Sequence, residues 1–289
     1  MSRRLGLWLI ACLFVFCDIA VFAQGSEGNT SPPPKVLVIV REMIKPGKAG
    51  GPHEKTESMF VNAFAAAKWP THYLAMDSQT GAPRMLFLTG YATFDAWQAD
   101  SMATQKNATL AAALDKASIA DGDMLSGIET GAFAYREEMS LNAPVDIAHM
   151  RYMEISAFQV RSGHEAEWRE LVKTYQNGYK NIPDTHWAVY QINYGQMSGG
   201  TYLVIVPMKS ASEIDKGFGD AKKFTDALGP EGMKKLGELA AACIESSQTN
   251  LFMFNPKLSY VADEWKKADS FWQTKPAAPA KKAEEKPKQ

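Results

Sequence analysis

Two short segments carry the side chains best suited to chemistry. Thr71-His72-Tyr73 in the first half of the chain is answered by Thr185-His186-Trp187 in the second, the histidines offset by 114 positions (72 to 186). An imidazole has an ordinary pKa of about 6.5, so it can move a proton near neutral pH or orient a polar group of a ligand. On an extended chain His72 and Met76 share one face, as do His186 and Tyr190. His72, Tyr73, Met76, His186, Trp187 and Tyr190 are therefore the expected ligand-binding residues, with the two histidines as polar anchors and the aromatics as walls. The bland alternative is a histidine that bonds a nearby loop carbonyl. Periodicity does not say which face of these strands looks inward.

Glu154 is a third catalytic candidate beside His72 and His186. With Ser156 it interrupts the apolar alternation of Met153, Ile155 and Ala157. If Met153 and Ile155 pack on helices, Glu154 points into the interior, where an unpaired carboxyl would have a raised pKa. His53-Glu54 and His164-Glu165 begin helical stretches, and helix capping is the simplest account of them. A zinc-protease helix needs a second histidine four residues on, and Glu57 and Trp168 stand there instead. The duplicated histidines sit in separate halves and His149 stands alone in the linker, so no metal site is expected. Walker, Rossmann and Gly-x-Ser-x-Gly patterns are absent from the sequence.

These side chains need elements to position them, and the same order recurs twice. Val36 to Ile44 and Tyr152 to Val160 read as strands. Lys45-Pro46-Gly47 and Arg161-Ser162-Gly163 turn the chain into helical stretches, Glu54 to Ala67 and Glu165 to Lys180. Strand pairs follow, His72 to Asp77 with Arg84 to Tyr91, and His186 to Tyr194 with Thr201 to Val206. Second helical regions, Phe94 to Ala120 and Ala211 to Ile244, the latter interrupted at Gly229-Pro230, lead to last strands at Ile128 to Tyr135 and Thr249 to Phe254. The expected fold is α+β: two tandem ferredoxin-like (βαββαβ) repeats, each with one bare sheet face, packed sheet to sheet as a pseudo-dimeric barrel.

The 289 residues carry 31 basic and 32 acidic side chains, so no strong field marks a nucleic-acid partner. Arg3 and Arg4 precede an apolar run from Leu5 to Phe22 that ends in small residues, the pattern of a secretory signal. A membrane anchor and a lipobox at Cys12 are the weaker readings of that run. Cleavage after Ala23 leaves Cys243 as the one mature cysteine, so no internal disulfide is expected, and its apolar neighbours suggest a buried thiol. The expected organisation is a signal peptide at 1–23, a flexible linker at 24–34, a first repeat at 35–141, a linker at 142–149, a second repeat at 150–262, and at 263–289 an extension with a disordered Pro/Ala/Lys tail. Secretion or a periplasmic location follows, with no membrane contact after signal removal and a monomer standing in for a dimer.

From Val36 to Tyr260 the element order, the Lys45-Pro46-Gly47 turn and the duplication resemble the dimeric α+β barrel superfamily. That group includes antibiotic-biosynthesis-type monooxygenases, NIPSNAP-like proteins and haem-binding chlorite-dismutase-like and dye-peroxidase-like branches. The resemblance implies a small-molecule site inside the barrel or between sheet and helices, and no particular reaction. The haem branches use a proximal histidine late in the chain, and no histidine follows His186. No cofactor is expected. The leading expectation is an exported small-molecule-binding protein. The alternatives are a cofactor-independent monooxygenase-like oxidoreductase acting on aromatic or polyphenolic compounds, and a structural or assembly protein with a filled barrel.

Overall fold

A computed structural model describes residues 30–273 apart from Gln196 and Ser198. The expected signal segment, most of the first linker and the tail from 274 lie outside the described residues.

The first half runs β1 (Val36–Ile44), α1 (Gly51–Ala67), β2 (Leu74–Ser78), β3 (Arg84–Tyr91), α2 (Phe94–Lys106), α3 (Ala108–Gly122) and β4 (Leu125–Tyr135). The second runs β5 (Tyr152–Val160), α4 (Glu165–Tyr179), β6 (Ala188–Tyr194), β7 (Thr201–Met208), α5 (Ser212–Cys243) and β8 (Ile244–Phe254). Local chemistry explains the breaks. The region read as one helix from Phe94 splits at Asn107, whose side chain accepts from the Leu110 N–H and restarts the helix as α3. In α5 the backbone leaves helical geometry at Gly229, with φ of 65°, just before Pro230.

All eight strands form one closed barrel in the order β1-β3-β2-β8-β5-β7-β6-β4. Each half contributes a four-stranded block with the same internal order. The expected face-to-face packing of two sheets is replaced by edge-to-edge closure: β2 pairs with β8 and β4 with β6, which leaves no open edge. Every neighbouring pair is antiparallel. Strands separated by an even number of steps therefore run the same way, so β1, β2, β5 and β6 all begin at one end of the barrel.

Leu37, Ile39, Leu74, Met76, Met153 and Ile155 belong to the interior cluster, while Val36 and Val38 pack outward with Ala96 and Trp97 of α2. On β5 this corrects the conditional placement of Glu154. Met153 and Ile155 point in, so Glu154 and Ser156 point out toward the helix layer. Ser156 shares a hydrogen bond with Thr249 (2.7 Å). Burial raises the Glu154 carboxyl above its usual range, but the group does not face the barrel interior. Cys243 is fully buried at the end of α5, as its neighbours suggest, and burial pushes its thiol up.

The chain beyond Tyr260 is part of the barrel. Helix α6 (Asp263–Ala268) and a 3-10 turn (Ser270–Trp272) send Trp265 and Trp272 into the interior cluster. Trp272 Nε1 donates to the Ala148 carbonyl (2.7 Å), Arg151 pairs with Asp269, and the Arg151 guanidinium sits 4.2 Å over the Phe271 ring. At the other flank Ser31 N–H donates to Val145 O (3.3 Å) and Tyr190 Oη donates to Pro34 O (3.1 Å), which ties residues 31–34 of the expected linker to the barrel.

Candidate functional site

A cavity of about 300 Å³ opens at the barrel end where β1, β2, β5 and β6 begin. Its apolar wall includes Leu37, Leu74, Leu88, Met153 and Ile205, with Trp265 of α6 against it. Its polar side chains include Ser31, Asp146, His149, His186, Tyr190 and Glu264. The residues expected to bind a ligand divide here. His186, Trp187 and Tyr190 border the cavity, and His72, Tyr73 and Met76 do not.

Strand alternation explains the division. Ala188 and Tyr190 share the inward face of β6 and His186, two residues before the strand, borders the same cavity, but both His186 ring nitrogens lie against carbonyls, Nδ1 at 2.9 Å from Asp184 O and Nε2 at 2.7 Å from Pro207 O. That is the bland alternative realised, and it makes His186 part of the wall. The Trp187 ring turns out to the helix layer, with Nε1 donating to Met139 O and the ring edge-on to Tyr179. In the first half Met76 is fully buried in the interior packing. His72 is stacked against Tyr260 (4.9 Å between centroids), and its Nδ1 is buried without a hydrogen-bond partner. Tyr73 faces outward against Phe64 and Phe87.

The histidine best placed for proton transfer is His149, from a 3-10 turn (Ile147–His149) in the linker. Its Nδ1 lies 2.6 Å from Asp146 Oδ2, which holds the ring and leaves Nε2 outside that contact, and the residue borders the cavity. The signal for this pair was an Asp and a His three residues apart on one short turn, in a segment read only as a linker.

A second group of titratable side chains lies outside the barrel wall. Glu42 of β1, His53 and Glu57 of α1 and Asp121 of α3 are all buried, and one ligating atom from each lies within 4.8 Å of the others. His53 Nε2 is 3.2 Å from Glu42 Oε2, 3.4 Å from Asp121 Oδ1 and 3.9 Å from Glu57 Oε1. Thr56 Oγ1 donates to Asp121 Oδ1 at 2.6 Å. Burial raises the Glu42 carboxyl and pushes Glu57 up to about 10, with the Glu42 and Asp121 charges adding to the latter. The capping expected of the two His-Glu pairs does not occur. Gly50 precedes α1, and neither it nor His164 at the start of α4 makes a side-chain cap; His164 instead sits 3.4 Å from Glu167 near the surface.

No protein-family model matches the chain, and no curated protein sequence matches it. Solved structures do. An anthrone oxidase-like protein superposes with a TM-score of 0.50 at 12% identity, covering 76% of this chain and 92% of its own. A candidate monooxygenase from Fusobacterium nucleatum gives 0.50 at 10% identity, covering 77% and 93%. The chlorite dismutase of Candidatus Nitrospira defluvii, solved with imidazole, gives 0.47 at 9% identity, covering 83% and 96%. At these identities the likeness is one of fold. The chain has a mixed α+β fold built on a closed eight-stranded antiparallel barrel, and these structures share that fold.

Proposed function

We propose that the protein binds a small, largely apolar or aromatic molecule in the barrel-end cavity. The supporting observation is the cavity itself: about 300 Å³ with a mainly apolar lining and its polar groups few, the form expected of a small-molecule pocket. His186 and Tyr190 belong to its fixed wall, and Trp265 covers it. The two halves, alike in element order and strand order, are read as a tandem duplication that supplies both sides of one barrel. The export expected from the Leu5 to Phe22 run belongs to the same reading.

A specific observation favours an enzymatic version. His149, held by Asp146, can accept a proton from an activated carbon of a polyphenolic substrate. With dioxygen as the oxidant, a methylene carbon becomes a carbonyl, one oxygen atom entering the product and the other leaving as water. No cofactor is needed in this scheme.

The binding reading is tested with anilinonaphthalene sulfonate as an apolar probe, followed by its fluorescence and by energy transfer from tryptophan. Ala188 borders the cavity, and Ala188→Leu fills part of it. Saturable binding by the wild type that weakens at least tenfold in Ala188→Leu is expected. Equal binding by both proteins, or none by either, overturns the reading.

A further inference from the structure

We propose that Glu42, His53, Glu57 and Asp121 form a binding site for one divalent transition-metal ion, of the zinc or manganese class, on the outer face of the first half. The site is separate from the barrel-end cavity and does not depend on it.

Convergence is the first argument. Three carboxylates from three elements point at one imidazole nitrogen, which can donate at most one hydrogen bond. A tetrahedral ion with ligand bonds of about 2.0–2.2 Å holds its donors roughly 3.4 Å apart. The three oxygens stand 3.2, 3.4 and 3.9 Å from His53 Nε2. All four donor atoms lie within 4.8 Å of one another, so drawing them together around one ion asks for side-chain adjustment and no change of fold. Three oxygens and one imidazole nitrogen suit zinc or manganese better than the all-oxygen preference of calcium or magnesium.

The second argument is an unpartnered acceptor. The Glu57 side chain is only 3% exposed, and its Oε1 has no hydrogen-bond partner although it faces the His53 ring. A buried carboxyl oxygen is costly to leave unsatisfied, and a cation is the ligand that three converging carboxyl groups call for.

The third is the contrast between the halves. Glu42 is the seventh residue of β1, and Phe158 is the seventh of β5. Glu57 lies four residues beyond His53, and Trp168 four beyond His164. Phe158 and Trp168 pack ring to ring at 5.3 Å. The fold is content with apolar side chains at these positions, so the carboxylates of the first half answer to something other than architecture.

The test uses the full chain, freed of metal by chelation and titrated with zinc chloride alone and manganese chloride alone. Calorimetry and elemental mass spectrometry read stoichiometry, and thermal unfolding reads stabilisation. One equivalent per chain with a raised unfolding midpoint is expected for at least one metal. Glu57→Gln and Asp121→Asn should each weaken binding at least tenfold, while Glu54→Gln, a part-buried neighbour outside the cluster that pairs with Lys257, leaves it unchanged. A wild type that binds less than a tenth of an equivalent of either metal overturns the proposal whatever the variants do. So does undiminished binding in a Glu57→Gln/Asp121→Asn protein. A metal-indifferent wild type whose stability rises on Glu57→Gln would identify a proton-sharing cluster instead.

Discussion

Glu57 and Trp168 stand at similar places in the two halves, each four residues beyond a histidine near the start of its helix and each buried against the outer face of the barrel. One meets His53 and two further carboxylates, and the other meets Phe158 and Tyr202. Similar backbone positions thus carry a carboxyl group in one half and ring packing in the other. The chemistry of the protein is asymmetric even though its strand order is not.

The cavity histidine is the first point to probe. If His149 is a general base, His149→Gln and Asp146→Asn should each lower oxygen uptake on a responsive polyphenol by about 10²-fold. The anilinonaphthalene sulfonate affinity should stay within about twofold. His186→Gln should leave the rate nearly intact, because its ring nitrogens are already engaged by Asp184 and Pro207. Uptake that depends on His186 and ignores His149 would reverse the assignment.

Trp272 anchors the segment that closes the barrel end. It is 1% exposed, stacks edge-on to Phe254 and donates to Ala148. Trp272→Ala should cost about 3–5 kcal/mol, the range for removing a buried tryptophan, read from urea denaturation. A loss below about 1 kcal/mol would mean that the segment is only laid on the surface.

Acid should weaken the fold through His72. Burial, helped by Lys266, lowers its pKa from 6.5, against the opposing pull of Glu264 and Asp263, and the Tyr260 ring covers it. Below about pH 6.5 the unfolded chain takes up this proton before the folded one does, so stability falls as pH drops from 6.5 toward the lowered value. His72→Phe keeps a ring against Tyr260 and removes the proton. Its stability profile should be flatter than that of the wild type across that window. Parallel profiles would show that His72 does not titrate differently in the two states.

Much of this architecture is legible in the amino-acid order, and the reasons for the gaps are physical. The alternation of Met153, Ile155 and Ala157 marks a strand, and the turn at Lys45-Pro46-Gly47 and the break at Gly229-Pro230 fall where they are expected. Alternation fails to orient β2 because a barrel strand is covered on both faces. Leu74, Ala75 and Met76 are all buried, so no polar face distinguishes inside from outside. For the same reason Glu154 could be assigned to the wrong side. The four-residue cluster was hidden by distance along the chain, since Glu42 and Asp121 come from elements far apart in sequence and meet only when α1 and α3 pack beside β1. A carboxylate amid the apolar residues of Val36 to Ile44 was its one local sign. Trp265 and Trp272 were overlooked because they lie next to a Pro- and Lys-rich end.

Both seams of the barrel, β2 with β8 and β4 with β6, join stretches of a single polypeptide. Closure therefore needs no second molecule, and dilution alone has no purchase on it. A ring made from two identical chains must accept every substitution twice, at symmetry-related places. This one accepts it once, so a cluster of acids can arise on one flank while the opposite flank keeps its aromatic packing.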